Sequence, residues 1–202
     1  MTPLAPDGRP LVGAVVRLDA ATPADAYGLF AALDDDRVWA AGYNGGPAAR
    51  PTSPQRWAEL IPDRAQRVQY VVRLVADSPL GAAGEIVGTS SLGDVVLPDE
   101  RLHLGWTGYS PAVWGTAVNP ECKLLLLGHA FDECGFGRVK IQTDAINTRS
   151  QAAIAKLGAV REGVLRRHKA RGDGTFRDTV VFSVLATEWP QVADRLRARI
   201  AG

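Results

Sequence analysis

The feature that most restricts the fold is a strongly apolar run, KLLLLGHAFDECGF at 123–136, set between two strand-like segments, RLHLGWTGY (101–109) and RVKIQTD (138–144). The run reads as a helix from Pro120 to about Cys134, stopped by Gly135 or Gly137. A strand, a helical crossover and a second strand in that order can place the two strands side by side and parallel. The approach to the helix is equally directive. Asn119 reads as an N-cap, Pro120 suits the first turn, and Glu121 complements the positive end of the macrodipole. A helix start of this kind leaves backbone N–H groups free to meet an anion.

The remaining chain supplies elements around that unit. Residues 1–12, with three prolines, form an extended lead-in, and GAVVRLDA (13–20) reads as a first strand. Thr22-Pro23 opens a helix to Leu33, and Ser53-Pro54 opens another to about Arg67, with a break at Pro62. Residues 40–53 read as loop. Val68–Ala76, Glu85–Leu92 and Arg101–Tyr109 read as an antiparallel meander. After the crossover and its second strand, Asn147 starts a helix that stops at Gly158. A hairpin about Asp173-Gly174 and a helix from Glu188-Trp189-Pro190 finish the chain. The expected fold is therefore one mixed α/β domain over 13–202, with seven strands and flanking helices.

Composition narrows the function. The chain has 202 residues, 46% of them apolar, and 23 Lys and Arg against 22 Asp and Glu give a net charge of +1. Near-neutrality gives no general reason to expect nucleic acid or an anionic membrane surface as partner. No apolar stretch is long enough to span a bilayer, and the first residues lack a signal-peptide pattern. Cys122 and Cys134, twelve residues apart on one expected helix, lie about 18 Å apart along its axis and cannot bridge. A cytoplasmic, reducing location is the expectation. Asp34-Asp35-Asp36 has no His or Cys nearby and reads as a solvated turn, so no metal site is expected.

Five segments taken together, LGWTGYSPAVWGT (104–116), NPECKLLLLGHAF (119–131), NTRSQAAIAKLGA (147–159), REGVLRRH (161–168) and RDTVVFSVLATEW (177–189), resemble the GNAT superfamily of acyl-CoA N-acyltransferases. The branch containing the ribosomal-protein N-terminal acetyltransferases is the most similar. The resemblance implies a mostly antiparallel seven-stranded sheet in which the central parallel strands, 101–109 and 138–144, splay apart to admit acetyl-CoA. It further implies that the backbone of Thr107, Gly108 and Tyr109 pairs with the pantetheine arm. The loop Trp114, Gly115, Thr116, Ala117, Val118 and Asn119 would wrap the pyrophosphate, and Asn147 with Ser150 would touch the cofactor. Acetyl-CoA is the implied co-substrate and an amine the implied acceptor; homodimers are common in the family.

The sequence also departs from the family pattern. The phosphate loop usually reads Gln/Arg-x-x-Gly-x-Gly/Ala; here Ala117 and Asn119 stand at the last two marked places. Ile154 occupies the position of a frequent tyrosine acid, and His103 that of a frequent glutamate. An imidazole at 103 could take a proton from an amine. The backbone N–H of Tyr109, or of the next residue, is by analogy the donor to the developing oxyanion. The basic hairpin cluster Arg166, Arg167, His168, Lys169 and Arg171 reads as a solvated edge, as a rim for an acidic substrate, or as a second clamp on CoA phosphates. Arg166 and Asp178 are its candidate acceptor-binding pair. The expected reaction is acetyl transfer to a primary amine, a protein N-terminus or a small molecule, without a covalent enzyme intermediate. The rival reading is a non-catalytic acyl-CoA-binding regulatory domain.

Overall fold

The computed structural model describes residues 2–40, 42–171 and 173–202. Met1 of the lead-in, Ala41 of the 40–53 loop and Gly172 of the hairpin turn lie outside the described residues. In chain order the elements are β1 (Leu11–Val12), β2 (Val16–Ala20), α1 (Ala26–Leu33), α2 (Asp36–Ala40) and α3 (Pro54–Ala58), then β3 (Arg67–Leu74), β4 (Ile86–Val96) and β5 (Arg101–Tyr109). Helix α4 (Val118–Gly128) crosses to β6 (Arg138–Asp144), followed by α5 (Thr148–Leu157), the hairpin β7 (Val160–Ala170) and β8 (Phe176–Leu185), and α6 (Trp189–Ala201).

The strands form one eight-stranded sheet in the order β1-β2-β3-β4-β5-β6-β8-β7. All pairs are antiparallel except β5 with β6. The eighth strand is a small correction to the expected seven: Leu11 and Val12, at the end of the lead-in, pair with Leu18 and Arg17. A carboxylate holds this corner. Glu121 of α4 accepts from the backbone N–H groups of Ala14, Val15 and Val16 at 2.9, 2.7 and 2.6 Å. Gly13 is required beside it, because a Cβ there would stand 2.4 Å from the Glu121 carboxyl carbon.

Four further boundaries differ from expectation. Helix α4 begins at Val118, so Asn119 sits inside the first turn and does not cap it; Thr116 Oγ1 instead accepts from Val118 N at 3.3 Å. Beyond Gly128 the chain continues as a π-helical turn, His129–Glu133. Helix α3 stops at Ala58, ahead of Pro62, and Asp36 opens α2. Asp34 and Asp36 both pair with Arg50, which explains the acidic run as a brace for the following loop.

Two apolar layers flank the sheet. Helices α4, α5 and α6 pack with Tyr70, Val72, Leu102, Leu104, Val139 and Ile141 on one face. Helices α1, α2 and α3 pack on the other face, about Val71. That second apolar layer takes in Val71 of β3 and Ile86 of β4 and, among the described residues, none of β6, β7 or β8. Among the described residues no helix is long and apolar enough to cross a membrane.

Candidate active site

Strands β5 and β6 pair only at Arg101–Arg138, Leu102–Val139 and His103–Lys140. Beyond that point they part, and a cavity of about 470 Å³ opens in the fork. The fork has a local cause. Strand β5 carries a bulge in which Trp106 and Thr107 together face Ser90 of β4, and Trp106 is held at φ 49°, a conformation that side chains rarely adopt inside a strand. Gly108 follows, with the Tyr43 ring lying where its Cβ would be, 2.9 Å away. A larger residue there would push the 42–45 loop off the cavity.

His103 lies at the root of the fork. Its side chain is buried, and Nδ1 stands 3.2 Å from Asp94 Oδ2, which also accepts from Lys140 Nζ at 3.2 Å. A carboxylate can only accept, so the hydrogen is on Nδ1 and the lone pair on Nε2. Nε2 is buried and without a partner, covered by Gly105 and by the Trp106 ring, whose centroid is 4.6 Å away. Burial pushes the imidazole pKa below 6.5, outweighing the opposing effect of Asp94. His103 is therefore a neutral base near pH 7.

Lys123 is the unforeseen member. It projects from α4 into the cavity wall, 5% exposed, with Nζ 2.9 Å from Thr107 Oγ1 and 3.2 Å from Ser90 Oγ. Among the described residues no carboxylate pairs with it, and burial pulls its pKa from 10.5 down to about 8. A signal did exist in the sequence: Lys123 shares the i, i+3, i+4 spacing of the buried Leu126 and Leu127. A lysine on the buried stripe of an apolar helix must find a polar destination inside the protein.

The same cavity collects Thr107, Gly108, Tyr109, Trp114, Gly115, Asn119, Asn147 and Ser150, together with His103 and Ile154. Thr116, Ala117 and Val118 are not on its wall; Thr116 caps the helix start, and Val118 is packed in the core. Asn147 caps α5 by accepting from Ser150 N at 2.9 Å. Arg149, one residue earlier, stacks its guanidinium 3.6 Å from the Trp114 ring centroid. The Trp114 indole donates to Tyr109 O at 3.0 Å. Ser110 N donates to Val87 O at 2.8 Å, which leaves Tyr109 as the available one of the two amides considered for the oxyanion. Arg166 and Asp178 do not reach the cavity: Asp178 accepts from Arg167 N at 2.7 Å. From the hairpin, Lys169, Arg171 and Arg177 line the cavity instead. Among the described residues no group of three or more His, Cys, Asp or Glu side chains could hold a metal ion.

A forked parallel pair, a bulged strand with backbone groups facing the gap, and a helix start at its mouth define an acyl-CoA transferase architecture. The family model for the acetyltransferase (GNAT) domain matches residues 16–160, and this chain belongs to that family of acetyltransferases. A crystal structure assigned as an acetyltransferase is 35% identical, with TM-score 0.82, over 96% of this chain and 94% of the other. One from T. thermophilus, also assigned as an acetyltransferase, is 34% identical, with TM-score 0.79, over 95% and 97%. RimJ of Mycobacterium smegmatis, solved in complex with CoA-disulfide, shares the fold at 24% identity and TM-score 0.76, over 94% and 92%. No curated protein matches the sequence.

Proposed function

We propose that the protein moves the acetyl group of acetyl-CoA to a primary amine by direct attack, the amine being a small molecule or a protein N-terminus. One observation carries the reading: β5–β6 pairing stops at His103–Lys140, and the cavity beyond it is lined by Thr107, Gly108, Tyr109, Trp114, Asn147 and Ser150, residues that the family resemblance assigns to acetyl-CoA. RimJ, which shares the fold, was solved with a CoA disulfide, and this supports the choice of co-substrate.

The residues present fit that co-substrate. An amide-bearing arm needs strand-like partners, and the backbone from Thr107 to Tyr109 faces the gap without a ladder partner on β6. Diphosphate needs donors at a positive helix end; the candidates in the 114–119 loop at the start of α4 are the N–H groups of Gly115 and Asn119, on the cavity wall, because those of Trp114, Thr116 and Val118 already donate to Pro111 O, Val113 O and Thr116 Oγ1. Asn147, Ser150 and Arg149 stand beside that loop on the same cavity wall. Bound there, acetyl-CoA supplies a thioester carbonyl open to attack by a neutral amine.

The chain's own groups then orient the reactants and move protons. His103 Nε2 is the candidate base, reached by the amine or a relaying water once the Gly105–Trp106 segment that covers it shifts, and Asp94 keeps the imidazole in the competent tautomer. By analogy with the family, Tyr109 N–H is the donor to the developing negative charge. Lys123 Nζ holds a proton within the cavity wall and can release it as the thiol departs. This assigns to a lysine on α4 the acid role that Ile154 cannot perform.

Titration calorimetry with acetyl-CoA, followed by an amine panel read by free-thiol release, tests the reading. Micromolar binding with thiol release for at least one amine is expected. Binding without release for any amine would favour a non-catalytic acyl-CoA-binding domain, and no binding would overturn the placement of the phosphate loop.

A further inference from the structure

The cavity wall carries five cationic side chains, Lys123, Arg149, Lys169, Arg171 and Arg177, and one carboxylate, Asp144. These cations divide between the two faces of the sheet. Val139 and Ile141 of β6 pack with the α4–α6 layer, so by strand alternation Lys140, Gln142 and Asp144 point the other way. Register carries that face outward: Asp144 pairs with Thr179, Arg177 lies two residues on, and Arg177 pairs with Lys169. Lys123 and Arg149 come from the helices on the first face. Lys169, Arg171 and Arg177 stand on the second, outside the apolar layer of α1, α2 and α3.

On that second face the neighbouring cations are neutralised. Arg171 is held by Asp144 at 2.7 Å, and Lys140 by Asp94 at 3.2 Å. Lys169 and Arg177 have no carboxylate within ion-pairing distance among the described residues. They nevertheless face each other across the β7–β8 ladder, an arrangement that is unfavourable for like charges. Arg177 is fixed by its Nε bond to Thr179 Oγ1 at 2.9 Å, which leaves the rest of its guanidinium fork unused. Burial and the field of Arg177 both pull the Lys169 pKa down. The field of Lys169 in turn reaches His103, so the cation pair and the orphaned Nε2 belong to one small region.

We propose that the acceptor amine bears a nearby anionic group, a carboxylate or a phosphate, that Lys169 and Arg177 hold while His103 receives the amine. The proposal rests on the acetyl-transfer reading for the identity of the amine, but not for the anion site. It separates the acceptor's anion from the CoA phosphates, which belong to the other face with the α4 start and Arg149.

The test uses matched pairs: O-phosphoethanolamine with ethanolamine, β-alanine with β-alaninamide, and the peptides Ala-Asp-Ala with Ala-Asn-Ala as their C-terminal amides. The charged member of at least one pair should show kcat/KM higher by about tenfold or more, with the advantage shrinking as salt rises. The pairs separate phosphate, free carboxylate and acidic peptide as the source. In the variant Lys169→Met/Arg177→Met that ratio should fall to about one, while acetyl-CoA affinity by calorimetry stays at the parent value. Equal rates for both members of every pair would overturn the proposal. So would a variant that keeps the ratio but binds acetyl-CoA more weakly, since the cluster would then serve the CoA phosphates. If no amine is acetylated, calorimetry with the charged members decides: binding by the parent and not by the variant preserves the anion site and discards the transfer reading. No binding by the parent discards the proposal. Should the double variant not fold, Lys169→Gln, at an exposed position of β7, gives the same readout.

Discussion

Replacing Lys123 by methionine should make the protein more stable and less active, and the size of the gain should depend on pH in a defined way. The ammonium is 5% exposed and meets two hydroxyls but no carboxylate. Its pKa drops from 10.5 in the open chain to about 8 in the fold; at about 1.4 kcal/mol per pKa unit, that is about 3 kcal/mol against folding. The sign follows from the proton count. Below about pH 8 the lysine is charged in both states, so the full cost falls on the native state; above 10.5 it is neutral in both, and the cost is gone. Methionine is of similar length and needs no proton, and Ser90 and Thr107 retain their mutual hydrogen bond at 2.7 Å. After allowance for two lost hydrogen bonds, the variant should gain up to about 2 kcal/mol near pH 7, or up to about 8 °C in Tm for a chain of this size. Urea unfolding at a series of pH values from neutral to strongly alkaline is the assay. The advantage should be full at the neutral end and decline steadily above pH 8, while thiol release at neutral pH falls by about 100-fold if Nζ delivers a proton. A variant that is less stable by the same amount at every pH would refute the reasoning, because the hydroxyl bonds would then outweigh the desolvation.

His103→Ala should lower kcat/KM by about 100-fold and remove its acid limb; in the parent that limb should lie below pH 6.5, since burial keeps the imidazole neutral. A parent limb at or above 6.5, or one that survives in the variant, would return His103 to a packing role. Glu121→Gln should destabilise the fold by about 1–3 kcal/mol in urea, because one amide oxygen cannot serve three N–H donors at this partly buried corner; an unchanged midpoint would show that the turn at 13–16 holds itself.

What the sequence disclosed and what it withheld divide along a physical line. Strands 101–109 and 138–144 form with the expected bounds, and Asn147 and Gly158 delimit α5, because each is marked by local chemistry: apolar residues at alternate positions, a side-chain cap, a glycine with φ 94°. The start of α4 moved by two residues since Thr116, as well as Asn119, can serve a helix start, and only the tertiary course of the loop selects between them. Strand β1 exists because Glu121, more than a hundred residues later, gathers the N–H groups of its turn. Nothing local to Leu11–Val12 encodes that. Of the loop expected to wrap the cofactor, Trp114, Gly115 and Asn119 reach the cavity while Thr116, Ala117 and Val118 do not, and side chains that act across elements left no local mark. Arg166 stands beside the right residues in sequence, yet the bulges between Arg161 and Lys169 decide which cations turn toward the fork, and these prove to be Lys169 and, from the facing strand, Arg177. Lys123 was hidden differently: an apolar helix makes one lysine look like a surface residue until the sheet behind it offers Ser90 and Thr107. The bulge at Trp106–Thr107 that places Thr107 opposite Ser90 also opens the gap between β5 and β6. Entry to the cavity and the seat of its buried cation thus share one cause, and closing the bulge would remove both.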